Sequence, residues 1–281
     1  MKSIVIGIDF QNQSYAAMKF AVNVALKMDS SLVLVFVNKS DRSKDIFQRP
    51  KDKVYAEAEE RFEDLIKKYT DQISKEKISY VITEGKVPEA LDRQATKNRA
   101  ELIVIGTHGR PAFKLFSSSG AFQVVTTSSV PVVTIKDGAI INNDIRKILV
   151  PIDATLESRQ KVPFAVRLAK QFDAEIHMLA VYHTKVRMLQ ENIILYTKQA
   201  AEYLEGNAVN FVVKSIETED IVRAVINYSE EIDADIIASM SIQVESTSNL
   251  WKGSYAEQLI GKSHIPVVNI QPKELIKSFS R

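Results

Sequence analysis

The sequence is written twice. IVIGID at 4–9 returns as ILVPID at 148–153, and SLVLVFVN at 31–38 as AEIHMLAVY at 174–182. AELIVIG at 100–106 returns as ADIIASM at 234–240, and SVPVVTIK at 129–136 as HIPVVNIQ at 264–271. Single apolar runs recur by chance, but four in the same order, over a period of about 140 residues, do not. The offset falls from 144 at the first pair to 134 at the AELIVIG pair, so the second copy has lost residues in between. The loss falls where the first copy holds the polar segment SDRSKDIFQRPKDK. Gly138 and the Asn142-Asn143-Asp144 cluster supply turn chemistry between the copies. The expected division is a first domain at 1–138, a linker at 139–146 and a second domain at 147–281.

Within each copy the hydrophobic period alternates. IVIGID is a short continuous apolar run; YAAMKFAVNVALKM at 15–28 then places Ala17, Phe20, Ala21, Val24 and Ala25 at helical spacing. SLVLVFV reads as a strand, 52–75 as a long helix, ISYVITEG as a strand, and 87–99 as a helix with Pro88 in its first turn. AELIVIG, GAFQVVTTS and VPVVTIK complete a β-α-β-α-β-α-β-α-β order. Apolar strands alternating with helices predict an α/β fold, a parallel sheet covered on both faces. Such sheets bind ligands beyond the carboxyl ends of their strands, where the strand order switches. Asp9, Val37 and Gly106 end predicted strands and so fall at that cleft.

Composition narrows the function classes. Lys+Arg 37 against Asp+Glu 35 leaves a net charge of +2, too balanced for a general nucleic-acid or anionic-membrane binder. There is no cysteine, which removes disulfides, thiolate metal sites and cysteine nucleophiles. No apolar stretch approaches membrane-spanning length, and the run before Asp9 is too short for a signal peptide. A cytoplasmic protein with neither nucleic acid nor membrane as partner is expected.

The segment GTHGRPAFKLFSSSGAF, 106–122, is the chain's most suggestive loop. Gly106 and Gly109 permit tight turns and close backbone approach. The helix after the loop offers unpaired N–H groups to a phosphate. His108 and Arg110 can add charge, and Ser117, Ser118 and Ser119 hydroxyl donors. An ordinary strand-to-helix connection, with a serine capping the helix, accounts for the same residues. Asp9 can accept from a ribose or tie the loop that follows it. No GxxxxGK[ST] occurs, no GxGxxG follows the first strand, and there is no GxSxG elbow. His177 and His183 lack a third ligand nearby in sequence, so no metal site is expected. Trp251, the only tryptophan, reads as packing.

IVIGID, SLVLVFVN, EGKVPEAL, AELIVIGTHGR and SVPVVTIK together resemble the universal stress protein family, in its tandem form with two domains in one chain. The resemblance spans nearly all of 1–272. It implies two Rossmann-like domains, each a five-stranded parallel sheet flanked by helices, paired through their final strands, 130–136 and 265–271, as an internal pseudo-dimer. One branch of the family binds ATP and another does not. In the binders an aspartate ending the first strand and a small apolar residue ending the second lie near the adenosine, which Asp9 and Val37 match. The phosphate motif is Gly, two residues, Gly, nine residues, then Gly with Ser or Thr. Gly106 and Gly109 match its first part, with His108 and Arg110 between and beside them, but Ser119-Gly120 inverts the final pair. The second copy fails in the complementary way. Asp153 and Val181 match, and Gly253-Ser254 keeps the final pair, while Met240 and Gln243 replace the first two glycines.

The resemblance therefore implies a stress-response protein holding ATP or a related adenine nucleotide in the first domain, with magnesium only alongside ATP, and a degenerate second site. The alternative is a scaffold or sensor module that binds no nucleotide. Enzymatic activity, at most slow ATP hydrolysis, has no evident general base beyond Asp9. Association of whole chains into a homo-oligomer is compatible with either reading.

Overall fold

A computed structural model of the protein describes residues 2–38, 51–107, 120–241 and 254–272. The first copy runs β1 (Ser3–Gly7), α1 (Asn12–Met28), β2 (Ser31–Asn38), α2 (Lys51–Lys67), β3 (Ile78–Glu84), α3 (Val87–Lys97), β4 (Ala100–Thr107), α4 (Gly120–Thr127) and β5 (Val132–Lys136). The second runs β6 (Lys147–Ile152), α5 (Val162–Phe172), β7 (Glu175–Tyr182), α6 (Arg187–Gly206), β8 (Phe211–Glu217), α7 (Ile221–Glu231), β9 (Ile236–Met240), α8 (Tyr255–Lys262) and β10 (Val267–Ile270). The strands form one ten-stranded sheet in the order β3-β2-β1-β4-β5-β10-β9-β6-β7-β8. Every neighbouring pair is parallel except β5 and β10 at the centre, which is antiparallel. The α/β class, the tandem arrangement and the pairing through the final strands are as the sequence led one to expect.

Two clusters of side chains cover the sheet in the first half. Ile4 and Ile6 point with Leu32 and Leu34 toward α1, while Val5, Val33 and Val35 point with Ile103 and Ile105 toward α3 and α4. Strands apolar on both faces are what helices on both faces require. The clusters cross the seam. Ile148 and Val150 of β6 join the α1 side, and Ala256 and Ile260 of α8 join the α4 side. Thr134 donates its hydroxyl to the Val267 carbonyl at 3.2 Å inside the seam. The connection between the copies is tied to both: Lys19 donates to the Ile141 carbonyl at 3.1 Å, and Asn142 to Asp235 at 2.6 Å.

Helix ends follow local chemistry. Asp29 and Asp173, equivalent in the two copies, end α1 and α5 in the left-handed region at φ 50° and 55°. Aspartate tolerates that region better than most residues. Two boundaries differ from expectation by more than a residue or two. Helix α1 begins at Asn12, ahead of the expected Tyr15, and α2 stops at Lys67 instead of continuing to residue 75. After Lys67 the ladder tightens, with Tyr69 N–H on the Ile66 carbonyl at 2.9 Å, and the chain turns back to bury Ile73.

Candidate functional site

The strand order switches direction between β1 and β4, and again between β6 and β9. The crevices at these points lie beyond Gly7 and Thr107 in the first copy, and beyond Ile152 and Met240 in the second.

In the first copy the chain leaves β1 through Ile8 and Asp9, and Phe10 adopts φ 59°. An aromatic residue there is uncommon. Its ring is held by Phe36 and Phe62, at centroid distances of 5.4 and 5.0 Å, with the Arg61 guanidinium 5.5 Å from its centre. The turn presents the Asp9 carboxylate to the start of α1, where Oδ1 accepts from Gln11 N–H at 3.1 Å and Oδ2 from the Gln13 amide at 3.2 Å. Asp9 stays exposed. Each of its oxygens has capacity for a second hydrogen bond, so the tie to the loop and a bond to a ligand donor are compatible.

Gly106 has a reason of its own. A Cβ added there would stand 2.5 Å from the Gln13 backbone carbonyl. The first turn of α1 therefore lies directly against β4, an approach only glycine allows. Gly120 is different: it is exposed, it opens α4, and among the described residues an added Cβ would meet nothing within 4 Å. Val37, near the end of β2, is half-buried against the α3 and α4 cluster. His108, Gly109, Arg110 and Ser117 to Ser119 lie outside the described residues, as do Gln243, Trp251 and Gly253.

The second copy is built otherwise. Met240 occupies Gly106's place, and the first helix there starts late: a short 3₁₀ turn covers Leu156–Arg159 and α5 begins at Val162. Asp153 accepts at Oδ1 from Thr155 N–H at 2.7 Å and from the Thr155 hydroxyl at 2.5 Å. Lys161, equivalent to Ala17, is 3% exposed. Burial pulls its ammonium down to about 8, against the opposing pull of Asp153. Matched by helix start, one residue off the glycine-spacing match of Gly120 with Ser254, Tyr255 stands where α4 has Gly120, at the first position of an eight-residue helix. Its hydroxyl is buried without a hydrogen-bond partner among the described residues. Burial first, and the Asp153 charge second, push that phenol far above its ordinary range. Asp153 thus acts on both Lys161 and Tyr255. Ser254 caps α8, its hydroxyl accepting from Glu257 N–H at 3.2 Å. Val181 is fully buried.

Sequence reasoning missed Lys161 and Tyr255. The signal was there for Lys161: it shares the buried stripe of Ala165, Leu168, Ala169 and Phe172 and matches an alanine in the first copy. His177 lies away from the crevice, near the start of β7, with Nε2 2.7 Å from Glu175 and Nδ1 3.2 Å from the Tyr228 hydroxyl. Among the described residues no three His, Cys, Asp or Glu side chains are grouped to hold a metal ion, and no helix is long and apolar enough to cross a membrane.

A family model described as the Universal stress protein family matches the chain twice, over residues 1–136 and 144–271. Among solved structures, a universal stress protein from Archaeoglobus fulgidus DSM 4304 superposes with a TM-score of 0.75 at 18% identity, covering 97% of this chain and 97% of that one. A functionally unknown protein from Pseudomonas aeruginosa PAO1 superposes with a TM-score of 0.62 at 14% identity, covering 97% and 93%. At such identities the likeness is one of fold. No curated protein matches the chain.

Proposed function

This chain belongs to the universal stress protein family, and on that premise we propose that this stress-response protein holds ATP or a related adenine nucleotide in its first domain. The observation that carries the reading is the contrast between equivalent crevices. The first has an exposed Asp9 and, among the described residues, open space at Gly120, whereas the second has Lys161 and Tyr255 beside Asp153. In this reading Asp9 accepts from ribose hydroxyls and Val37 packs against the base. Gly106, Gly109 and Gly120 shape the phosphate path, and His108, Arg110 and Ser119 supply its charge and donors. In the sequence Ser119 immediately precedes α4 as Ser254 precedes α8, and in this reading its hydroxyl serves the helix entrance despite the inverted pair. Magnesium enters only with ATP. The division into 1–138, a linker at 139–146 and 147–281 is part of the same proposal.

The test is mass analysis of small molecules released from the denatured native protein, followed by titration calorimetry with ATP and magnesium. One adenine nucleotide per chain, lost in Gly109→Val, is expected. No binding at millimolar ATP would end the proposal. The second reading, a scaffold or sensor without nucleotide, draws on Gly106: packing against Gln13 explains that glycine without any ligand. ATP hydrolysis above background that disappears in Asp9→Ala would add an enzymatic role.

A further inference from the structure

Seven of the eleven large apolar side chains exposed among the described residues fall between Val186 and Val213: Val186 just ahead of α6, four on α6 itself, and two on β8. Helix α2, which has the equivalent place in the first copy, carries none of them. Exposed apolar surface gathered on one element marks an interaction site more often than scattered residues do.

The arrangement on α6 is specific. Its inner face buries Ile193, Tyr196, Ala200 and Leu204. At 100° per residue, the opposite face carries Arg187, Glu191, Lys198 and Glu202 in line, with Ile194 and Leu195 at its middle. Ile194 is 57% and Leu195 48% exposed. Read along the helix the charges run plus, minus, plus, minus. Laid antiparallel on itself about a two-fold axis between Ile194 and Leu195, the face sets Arg187 against Glu202, Glu191 against Lys198, Ile194 against Leu195, and Met188 against Ala201. Every charge meets its opposite, and the apolar residues meet at the centre. A parallel pairing in register would set each charge against its like.

We propose that α6 is a self-association face, on which a second copy of this chain seats its own α6 antiparallel. A two-fold contact of this kind uses the same patch on both chains. One pair of helices makes a small interface, and association at roughly micromolar concentration follows. The inference does not depend on nucleotide binding.

Sedimentation velocity over roughly 1 to 200 µM tests it, with circular dichroism to check that each variant is folded. The wild type is expected to pass from monomer to dimer, and Leu195→Glu to stay monomeric throughout. Glu191→Lys is expected to weaken dimerisation at least tenfold. Adding Lys198→Glu to it restores the inter-chain pairs, although the intrahelical pairs of Glu191 with Arg187 and of Lys198 with Glu202 stay broken. A wild type monomeric at every concentration, a dimer indifferent to Leu195→Glu, or a double variant no better than the single one would each overturn the proposal.

Discussion

Val133 and Val268 are equivalent residues of the two copies, and they stand directly opposite one another across the antiparallel seam. The internal two-fold axis therefore passes between them, and Thr134–Val267 and Val132–Asn269 are each other's images. Both valines are buried, 1% and 0% exposed. Val133→Asp puts a carboxylate into this dry centre with no partner. We expect a loss of about 3 kcal/mol or more, read as a fall in the urea midpoint.

Gly106→Ala is expected to destabilise the protein by roughly 1 to 3 kcal/mol, because its methyl group must displace the first turn of α1. The same displacement moves Gln13 away from Asp9. Urea denaturation measures the first effect. A variant as stable as the wild type would refute the packing account of this glycine.

Lys161 makes a pH-dependent prediction. Its folded value, about 8, lies below the ordinary 10.5, so the unfolded chain binds the proton more tightly. Below pH 8 both states are charged and the burial penalty is complete; above 10.5 both are neutral and it is gone. Relative to Lys161→Met, the wild type should therefore gain stability as pH rises from about 8 to 10.5, by an order of magnitude of 3 kcal/mol. Thermal melts of both proteins across that range give the difference. A flat difference would show that the ammonium is not desolvated.

Ser254→Ala removes the cap of α8 and is expected to destabilise by about 1 kcal/mol, with Ser254→Gly losing only a few tenths. Chemical denaturation separates the two. Equal losses would mean that the hydroxyl does more than cap.

Much of this was legible in the residues. Apolar strands such as IVIGID and AELIVIG carry the sheet in their own composition, and their recurrence carries the tandem architecture and its seam. Asp9 and Asp153 could be assigned to strand ends by counting. The convergence of Lys161 and Tyr255 on Asp153 could not, because Tyr255 lies 94 positions beyond Lys161 and both act on that carboxylate only once α5 and α8 have packed on the sheet. The end of α2 was also hidden: residues 68 to 75 keep an acceptable helical pattern, and the burial of Ile73 overrides it. Gly106 looked like a phosphate glycine because a glycine required by packing and one required by a ligand are the same letter.

The antiparallel seam between β5 and β10 also has a meaning for divergence. Because the halves run in opposite directions, the strand ends carrying Asp9 open at one rim of the sheet and those carrying Asp153 at the other. In a dimer of identical chains, any substitution at one rim is copied to the other by the gene itself. Here the halves are encoded separately. A lysine could replace the equivalent of Ala17, and a tyrosine that of Gly120, at one rim while the other kept its alanine and glycine. A covalent duplicate can retire or repurpose one crevice without touching its twin.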